Sequence, residues 1–262
     1  MRRLARALLL LLAAPAAVSA AVPRLVLVGG GEKPAAALER FAAWSGGPKA
    51  RILVVAWASG EEGTAESLAE EFKPFAPAAL DAAPSTAAAL ADRAAFERLL
   101  SSATGVFFSG GDQVRLMEGV DRLGLVERFR RMSAAGVVFG GTSAGTAVMS
   151  RLMITGEGDF TRIDASTVAV REGLGLLPGV IVDQHFLRRQ RENRLFALVL
   201  AHPESLGVGV DQDTAFLVDG TVGEVVGPSD VMMVRAAGTD ALGVELVRPG
   251  RRYDLAARRL LP

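Results

Sequence analysis

Val137-Val138-Phe139-Gly140-Gly141-Thr142-Ser143-Ala144-Gly145-Thr146-Ala147-Val148-Met149-Ser150 is the stretch whose reading decides the fold. An apolar run, a cluster of small residues and a second apolar stretch predict a buried strand, a tight turn and the first turns of a helix. Gly140 and Gly141 on one side of Ser143, and Gly145 on the other, let the backbone bend sharply and a substrate come close. Gly141-Thr142-Ser143-Ala144-Gly145 fits G-x-S-x-G, the strand-to-helix turn that lifts a serine hydroxyl to the top of a sheet. A helix start behind it would offer N–H groups and a positive dipole end to a developing oxyanion. From these five residues alone, an idle serine in a glycine-rich turn is an equal reading, so the flanks must decide.

Outward from this turn, the chain alternates strand and helix signals. Arg24-Leu25-Val26-Leu27-Val28, Arg51 to Ala56 and Gly105-Val106-Phe107-Phe108 are short apolar runs, as strands buried on both faces would be. Pro34 to Trp44 reads as helix. Ser85 caps a predicted alanine-rich helix running to about Leu100, and Leu116 to Ala134 predicts another. This alternation predicts an α/β fold around a parallel sheet. Pro74 to Pro84 has no assignable element, and Gly156 to Gly175 reads as an irregular surface excursion. Beyond Gly207 come short β-like runs, with Asp219-Gly220 as a hairpin turn between two of them. Gly29-Gly30-Gly31 is not a dinucleotide fingerprint, because the third glycine of G-x-G-x-x-G would fall on Pro34. It reads as a loop at the carboxyl end of a strand, where α/β folds place ligands.

The first 20 residues read as an export leader: Arg2, Arg3 and Arg6, then Leu8 to Leu12, then Val18-Ser19-Ala20 for cleavage. The apolar run, interrupted by Pro15, is too short for a membrane span. The rest of a twin-arginine motif is absent, so ordinary export to periplasm or medium is expected. Residues 21–262 read as one domain. Loss of three arginines from 29 basic residues, against 29 acidic ones, leaves a mature net charge of −3 and no nucleic-acid footprint. The chain has no cysteine and two histidines, which excludes a thiol nucleophile and any Cys- or His-rich metal site. An exported chain without disulfides must rely on its core, and 262 residues suffice for one.

A serine nucleophile needs a base, and the choice lies between His185 and His202. His185 follows Gly179-Val180-Ile181-Val182-Asp183-Gln184, at the carboxyl end of a predicted strand. His202 ends a predicted helix at Arg194 to Ala201, where a cation suits the dipole. His185 is therefore the expected base.

Four blocks in order then carry a resemblance. They are Ser109-Gly110-Gly111-Asp112-Gln113, Gly140 to Met149, Asp183-Gln184-His185-Phe186 with Arg189, Arg191 and Arg194-Leu195, and Gly209-Val210-Asp211-Gln212-Asp213-Thr214-Ala215. Together they resemble cyanophycinase and its relatives among the serine peptidases of family S51, over nearly all of the chain after the leader. The resemblance implies a flavodoxin-like or class I glutamine-amidotransferase-like α/β fold, a homodimer and no cofactor. It implies hydrolysis of β-aspartyl-arginine units from cyanophycin, a polyaspartate bearing arginine side chains. By the same resemblance Ser143 is the nucleophile and His185 the base, and the N–H groups of Ala144 and of Gly110 or Gly111 form the oxyanion hole. Gln113, Asp183, Gln184, Arg189, Arg191 and Arg194 fall where substrate is bound. An arginine cluster suits a polyaspartate, since guanidinium grips carboxylate bidentately; a solvated helix face is the rival reading of Arg188 to Arg194.

One position departs from the pattern. Gln212 stands where the family has the glutamate that orients the histidine. Its carbonyl can accept an imidazole N–H but cannot offset the charge formed during attack. The sequence therefore leaves three outcomes open: a weakened enzyme, a relocated acid at Asp183, Asp211 or Asp213, or a silent binder of acidic peptides. An α-aspartyl dipeptidase is the nearest enzyme alternative.

Overall fold

The apolar runs nearest the amino terminus form β1 (Arg24–Val28) and β2 (Arg51–Val55) of the computed structural model, on either side of α1 (Ala35–Trp44). The structure describes residues 23–158 and 161–262, so the leader read at residues 1–20 lies outside the described residues. After α2 (Thr64–Glu70) the chain enters β3 (Ala79–Ala82), a strand inside the segment that had no assignable element. Its prolines, Pro77 and Pro84, flank the strand, and β3 is a sheet edge, where proline is tolerated.

The helix expected from Ser85 to Leu100 is two helices, α3 (Thr86–Ala91) and α4 (Arg93–Ser102). Asp92 breaks the run: its carboxylate accepts the Ala95 N–H at 2.9 Å and restarts the chain as an N-cap. After β4 (Gly105–Phe108) the same correction applies to Leu116–Ala134, which is α5 (Gln113–Arg122) and α6 (Val126–Ala134). Gly124 between them has φ +64, and Leu125 N–H reaches back to the Val120 carbonyl, a left-handed helix stop. β5 (Val138–Thr142) then leads into α7 (Ala144–Ala147), a single turn.

The expected surface excursion instead contributes to a hairpin, β6 (Leu152–Gly158) with β7 (Val168–Glu172). β8 (Val180–Gln184), α8 (Glu192–Ala201) and β9 (Leu206–Val210) follow. The last strands are β10 (Ala215–Asp219), β11 (Val222–Val226), β12 (Val231–Gly238), β13 (Ala241–Val247), β14 (Arg252–Asp254) and β15 (Arg259–Leu260). Asp219-Gly220 turns the antiparallel β10–β11 hairpin, as the dipeptide predicts.

Strands β3-β2-β4-β5-β1 are parallel, and β10, β11, β14 and β15 extend the sheet antiparallel beyond β1. Counted from β2, the order β3-β2-β4-β5 is the 2-1-3-4 of a flavodoxin-like sheet, with β1 in the fifth place. β8 does not join it. With β1 already flanked by β5 and β10, β8 pairs with β9 in a second sheet, β13-β12-β9-β8.

Three apolar layers hold this together. On one face of the main sheet, Phe41 of α1, Phe72 and Phe107 of β4 pack with ring centroids 5.2–5.4 Å apart. On the other face Phe108, Phe129 and Phe139 join a core that includes Val182 and Val208 of the second sheet. α8 covers the outer face of that second sheet through Leu195, Leu198 and Val199. Among the described residues, no helix is long and apolar enough to cross a membrane.

α7 is wedged between the two sheets, its Ala144, Ala147 and Val148 buried in the shared core. Close approach is possible because Gly141 and Gly145 have no side chain: a Cβ on Gly145 would lie 2.4 Å from the Phe108 carbonyl oxygen, and one on Gly141 2.4 Å from the Gly145 backbone. Gly145→Ala must therefore push α7 off the sheet. It is expected to lower unfolding free energy by about 1–3 kcal/mol, read as a lower urea midpoint at unchanged slope.

Candidate active site

Three carboxyl strand ends, those of β1, β5 and β8, meet at Ser143 and His185. Ser143 is half-buried and takes φ +53, ψ −111, a conformation a non-glycine residue holds only when its surroundings impose it. Backbone and side-chain bonds impose it here. Ser143 N–H donates to the Val28 carbonyl at 3.0 Å, and Gly145 N–H to that of Ser109 at 3.1 Å. The buried Thr146 hydroxyl lies 2.7 Å from the Val28 carbonyl and 2.8 Å from that of Gly141, its one proton shared between them. At the far end of the turn, Ser150 Oγ accepts the Val182 N–H of β8 at 2.7 Å, linking this element to the strand that carries the histidine.

His185 also has positive φ, +47, and is 6% exposed. Its Nε2 lies 3.0 Å from Ser143 Oγ and its Nδ1 2.9 Å from Gln212 Oε1. The glutamine oxygen has no proton to give, so Nδ1 carries the hydrogen and Nε2 presents its lone pair to the serine. None of the three aspartates takes this place. Asp183 is held by Arg194, while Asp211 accepts from Arg188 N–H and Ser229 Oγ, and Asp213 from Glu32 N–H. Burial pushes the His185 imidazole below its ordinary value of 6.5; Gln212 as acceptor opposes this, while Arg189 and Arg191 add to it and Asp211 opposes it. His202 caps α8 as expected and pairs with Glu204 at 3.7 Å.

The Gly29-Gly30-Gly31 loop is the platform under this pair, a role its sequence position hints at without showing. His185 N–H donates to the Gly29 carbonyl at 2.7 Å and Asp213 N–H to that of Gly30 at 2.8 Å. Gly30 (φ +105) lies so close beneath the imidazole that a Cβ would sit 2.2 Å from its Cε1 and Nε2. The run of glycines at a carboxyl strand end was the available signal. The partner it supports comes from more than 150 residues later in the chain.

Around Ser143, Ala144 is first in α7, so its N–H is among those a helix start leaves without an intrahelical partner. α7 has four residues, so its dipole contributes less than the longer helix expected from the sequence. Of the two glycine candidates, Gly110 is the one against the serine: a Cβ there would lie 3.4 Å from Ser143 Cβ, whereas one on Gly111 would point into the Ala58 carbonyl.

The six residues expected to bind substrate divide sharply. Gln184 is at the centre: Ser143 Oγ lies 3.4 Å from its Oε1, and Arg191 Nη1 donates to the same oxygen at 2.8 Å and to the Gln184 carbonyl at 2.7 Å. Burial, with Arg194 nearby, lowers Arg191 to about 10. Arg189 is exposed on the turn that follows His185. Gln113 is buried, its Nε2 donating to the Ile154 carbonyl of β6 at 3.0 Å. Asp183 and Arg194 do not line a groove. They are 1% and 0% exposed and form a bidentate pair at 2.6 and 2.5 Å, with Arg191 Nη1 a further 3.8 Å from Asp183 Oδ1, so the expectation that they touch substrate is corrected: both are buried in an ion-pair cluster.

This geometry can be set beside known proteins. Two solved structures share the architecture: a peptidase from an acI-B1 Actinobacterium (TM-score 0.63, 20% identity, 90% of this chain and 98% of that one), and a putative peptidase E protein from Listeria monocytogenes EGD-e (TM-score 0.55, 15% identity, 80% and 100%). At such identities they speak for the fold. Cyanophycinases from Synechococcus elongatus and Trichormus variabilis are 45% and 44% identical over 138 residues, 52% of this chain. The matched stretch covers 42% and 46% of those proteins, less than half their length. The profile of Peptidase family S51 matches residues 25–226, from β1 through β11 and across every residue of the Ser143–His185–Gln212 chain. The chain belongs to Peptidase family S51.

Proposed function

We propose that this chain is a serine-type peptidase in which Ser143 is the nucleophile, His185 its general base and Gln212 the group that orients the histidine. The observation that carries this reading is the unbroken relay Gln212 Oε1–His185 Nδ1 and His185 Nε2–Ser143 Oγ, at 2.9 and 3.0 Å. In the step proposed, Ser143 Oγ attacks the scissile carbonyl while Nε2 takes its proton; the proton then goes to the leaving amine, and water releases the acyl group by the same path in reverse. In this reading the oxyanion is taken by the N–H groups of Ala144, the first residue of α7, and of Gly110, the glycine packed against Ser143. Burial keeps His185 neutral at neutral pH, as a base must be.

The substrate proposed is a β-aspartyl-arginine bond, in cyanophycin or a peptide derived from it. The identity to cyanophycinases supports this, as does exposed Arg189 beside the base, placed to meet a carboxylate. The same reading has the mature chain exported, on the leader at residues 1–20, and acting as a homodimer. Gln212 supports a second reading: with an amide in the orienting place, the imidazolium formed during attack lacks a contacting countercharge, and the chain could serve as an attenuated binder of acidic peptides. Incubating the mature protein with insoluble cyanophycin and with α- and β-linked aspartyl dipeptides separates the readings. Release of β-aspartyl-arginine is expected; tight binding without release would select the binder.

Ser143→Ala should keep the fold and lower turnover by about 10⁴-fold or more, measured beside the parent protein. Full retained turnover would remove Ser143 from the mechanism.

In pH profiles, the unprotonated base is the active form. Because burial lowers His185, the acid limb of kcat/KM should have its midpoint below 6.5. Gln212→Glu places a carboxylate on Nδ1, which favours the protonated ring; its acid limb should move to higher pH while plateau kcat rises. A midpoint that stays in place in Gln212→Glu would show that residue 212 does not act on the base.

The arginines should behave differently from one another. Arg189→Ala should raise KM several-fold, with the effect shrinking as salt is added. Arg194→Ala leaves the buried Asp183 carboxylate with only the longer Arg191 contact at 3.8 Å as a countercharge, and should destabilise the fold by about 3 kcal/mol in urea. Equal stability of the Arg189 and Arg194 variants would contradict this division.

A further inference from the structure

Asp211 stands directly before Gln212 at the end of β9 and is 9% exposed. Its Oδ1 accepts the Arg188 N–H at 2.9 Å and its Oδ2 the Ser229 hydroxyl at 2.8 Å. Arg188 lies on the turn that begins at His185, where Arg189 N–H donates back to the His185 carbonyl at 2.9 Å. Ser229 lies between β11 and β12, and its N–H donates to Thr214 Oγ1 at 3.0 Å. One carboxylate therefore ties together the His185 turn, the Gln212 segment and the loop before β12.

The donors are an amide and a hydroxyl, both neutral. Among the described residues, no lysine or arginine forms an ion pair with Asp211, so its charge is not cancelled locally. Other groups facing the imidazole are neutral or positive. Ser143 and Gln212 hydrogen-bond its two nitrogens, Gly30 lies beneath it, and Arg189 and Arg191 on its own turn oppose a positive ring. Asp211 acts in the opposite sense from a buried position, where a charge is screened less than at the surface.

We propose that Asp211 is a positioning residue of this site, holding the His185 turn through the Arg188 N–H and, as a buried carboxylate whose hydrogen-bond partners are neutral, supplying the negative charge that Gln212 cannot supply. The inference rests on the reading of His185 as the base. It divides between two residues what one carboxylate does in a Ser-His-acid triad: Gln212 sets tautomer and orientation, and Asp211 supplies charge.

The test follows the His185 ring by NMR in the resting protein, where His202 is the one other histidine and serves as an internal reference. Asp211→Asn keeps an oxygen for the Arg188 N–H and a polar group for Ser229 while removing the charge. Its His185 midpoint should fall by about half a unit or more, and kcat on β-aspartyl-arginine should drop about 10-fold. Adding Gln212→Glu to Asp211→Asn should return the midpoint upward and recover turnover, because a negative charge is restored at residue 212. If Asp211→Asn does not fold, Asp211→Ser, whose hydroxyl still accepts the Arg188 N–H, is read in the same way. A fall in kcat with an unmoved His185 midpoint would reduce Asp211 to a structural tie and overturn the proposal, as would no change in either. The titration is read without substrate, so it remains decisive even if Ser143→Ala shows that the catalytic reading is wrong.

Discussion

The 2.7 Å hydrogen bond from the His185 N–H to the Gly29 carbonyl is the joint on which the site depends. It links the end of β8, in the second sheet, to the end of β1, in the main sheet, beside the strand that delivers Ser143. The segment that leaves β9 adds a second tie at this edge, from Asp213 N–H to the Gly30 carbonyl at 2.8 Å. The neighbouring contacts are the Ser143 N–H bond to Val28 and the imidazole resting on a residue with no side chain. Two side chains on separate sheets, Ser143 and His185, are held at 3.0 Å because backbone, not flexible side chains, sets the spacing.

Strain is concentrated at the same joint. Ser143, His185 and Asp213 are non-glycine residues at positive φ, and they lie on the three segments that converge there. Each is pinned by a backbone hydrogen bond, so the surrounding fold, through buried Thr146, Ser150 and the α7 wedge, sustains conformations that none would adopt alone. The tight packing of Gly145 against Phe108 of β4 and Gly141 of β5 serves this purpose more than it serves the helix dipole, because α7 is one turn long.

Charge is arranged in two layers around His185. Inside, Asp183 and Arg194 neutralise each other in a buried bidentate pair, which secures the foot of α8 to β8. Outside it, Arg191 spends its guanidinium on Gln184, and Arg189 faces solvent. A cluster of three arginines in the sequence is thus one cation buried against a carboxylate, one bonded to the Gln184 amide and one exposed to solvent.

The sequence by itself determined the elements whose signals are local. Continuous apolar runs marked β1, β2, β4 and β5, because strands buried on both faces need apolar residues at successive positions. The small-residue turn marked Ser143, and its place at a carboxyl strand end singled out His185 from the two histidines; the structure brings the two side chains to 3.0 Å. Only the tertiary structure decided the rest. The breaks at Asp92 and Gly124 depend on a cap and a left-handed turn that short-range patterns disguise among good helix formers. The assignment of β8 to a second sheet depends on β10 occupying the edge of β1, a pairing between residues almost 200 positions apart. The separate fates of Arg189, Arg191 and Arg194 depend on burial, which spacing along the chain cannot convey. That Gln212, rather than Asp211 or Asp213 beside it, meets the imidazole was decided in the turn after β9, where Asp211 is engaged by the Arg188 N–H and Ser229 and Asp213 by the Glu32 N–H.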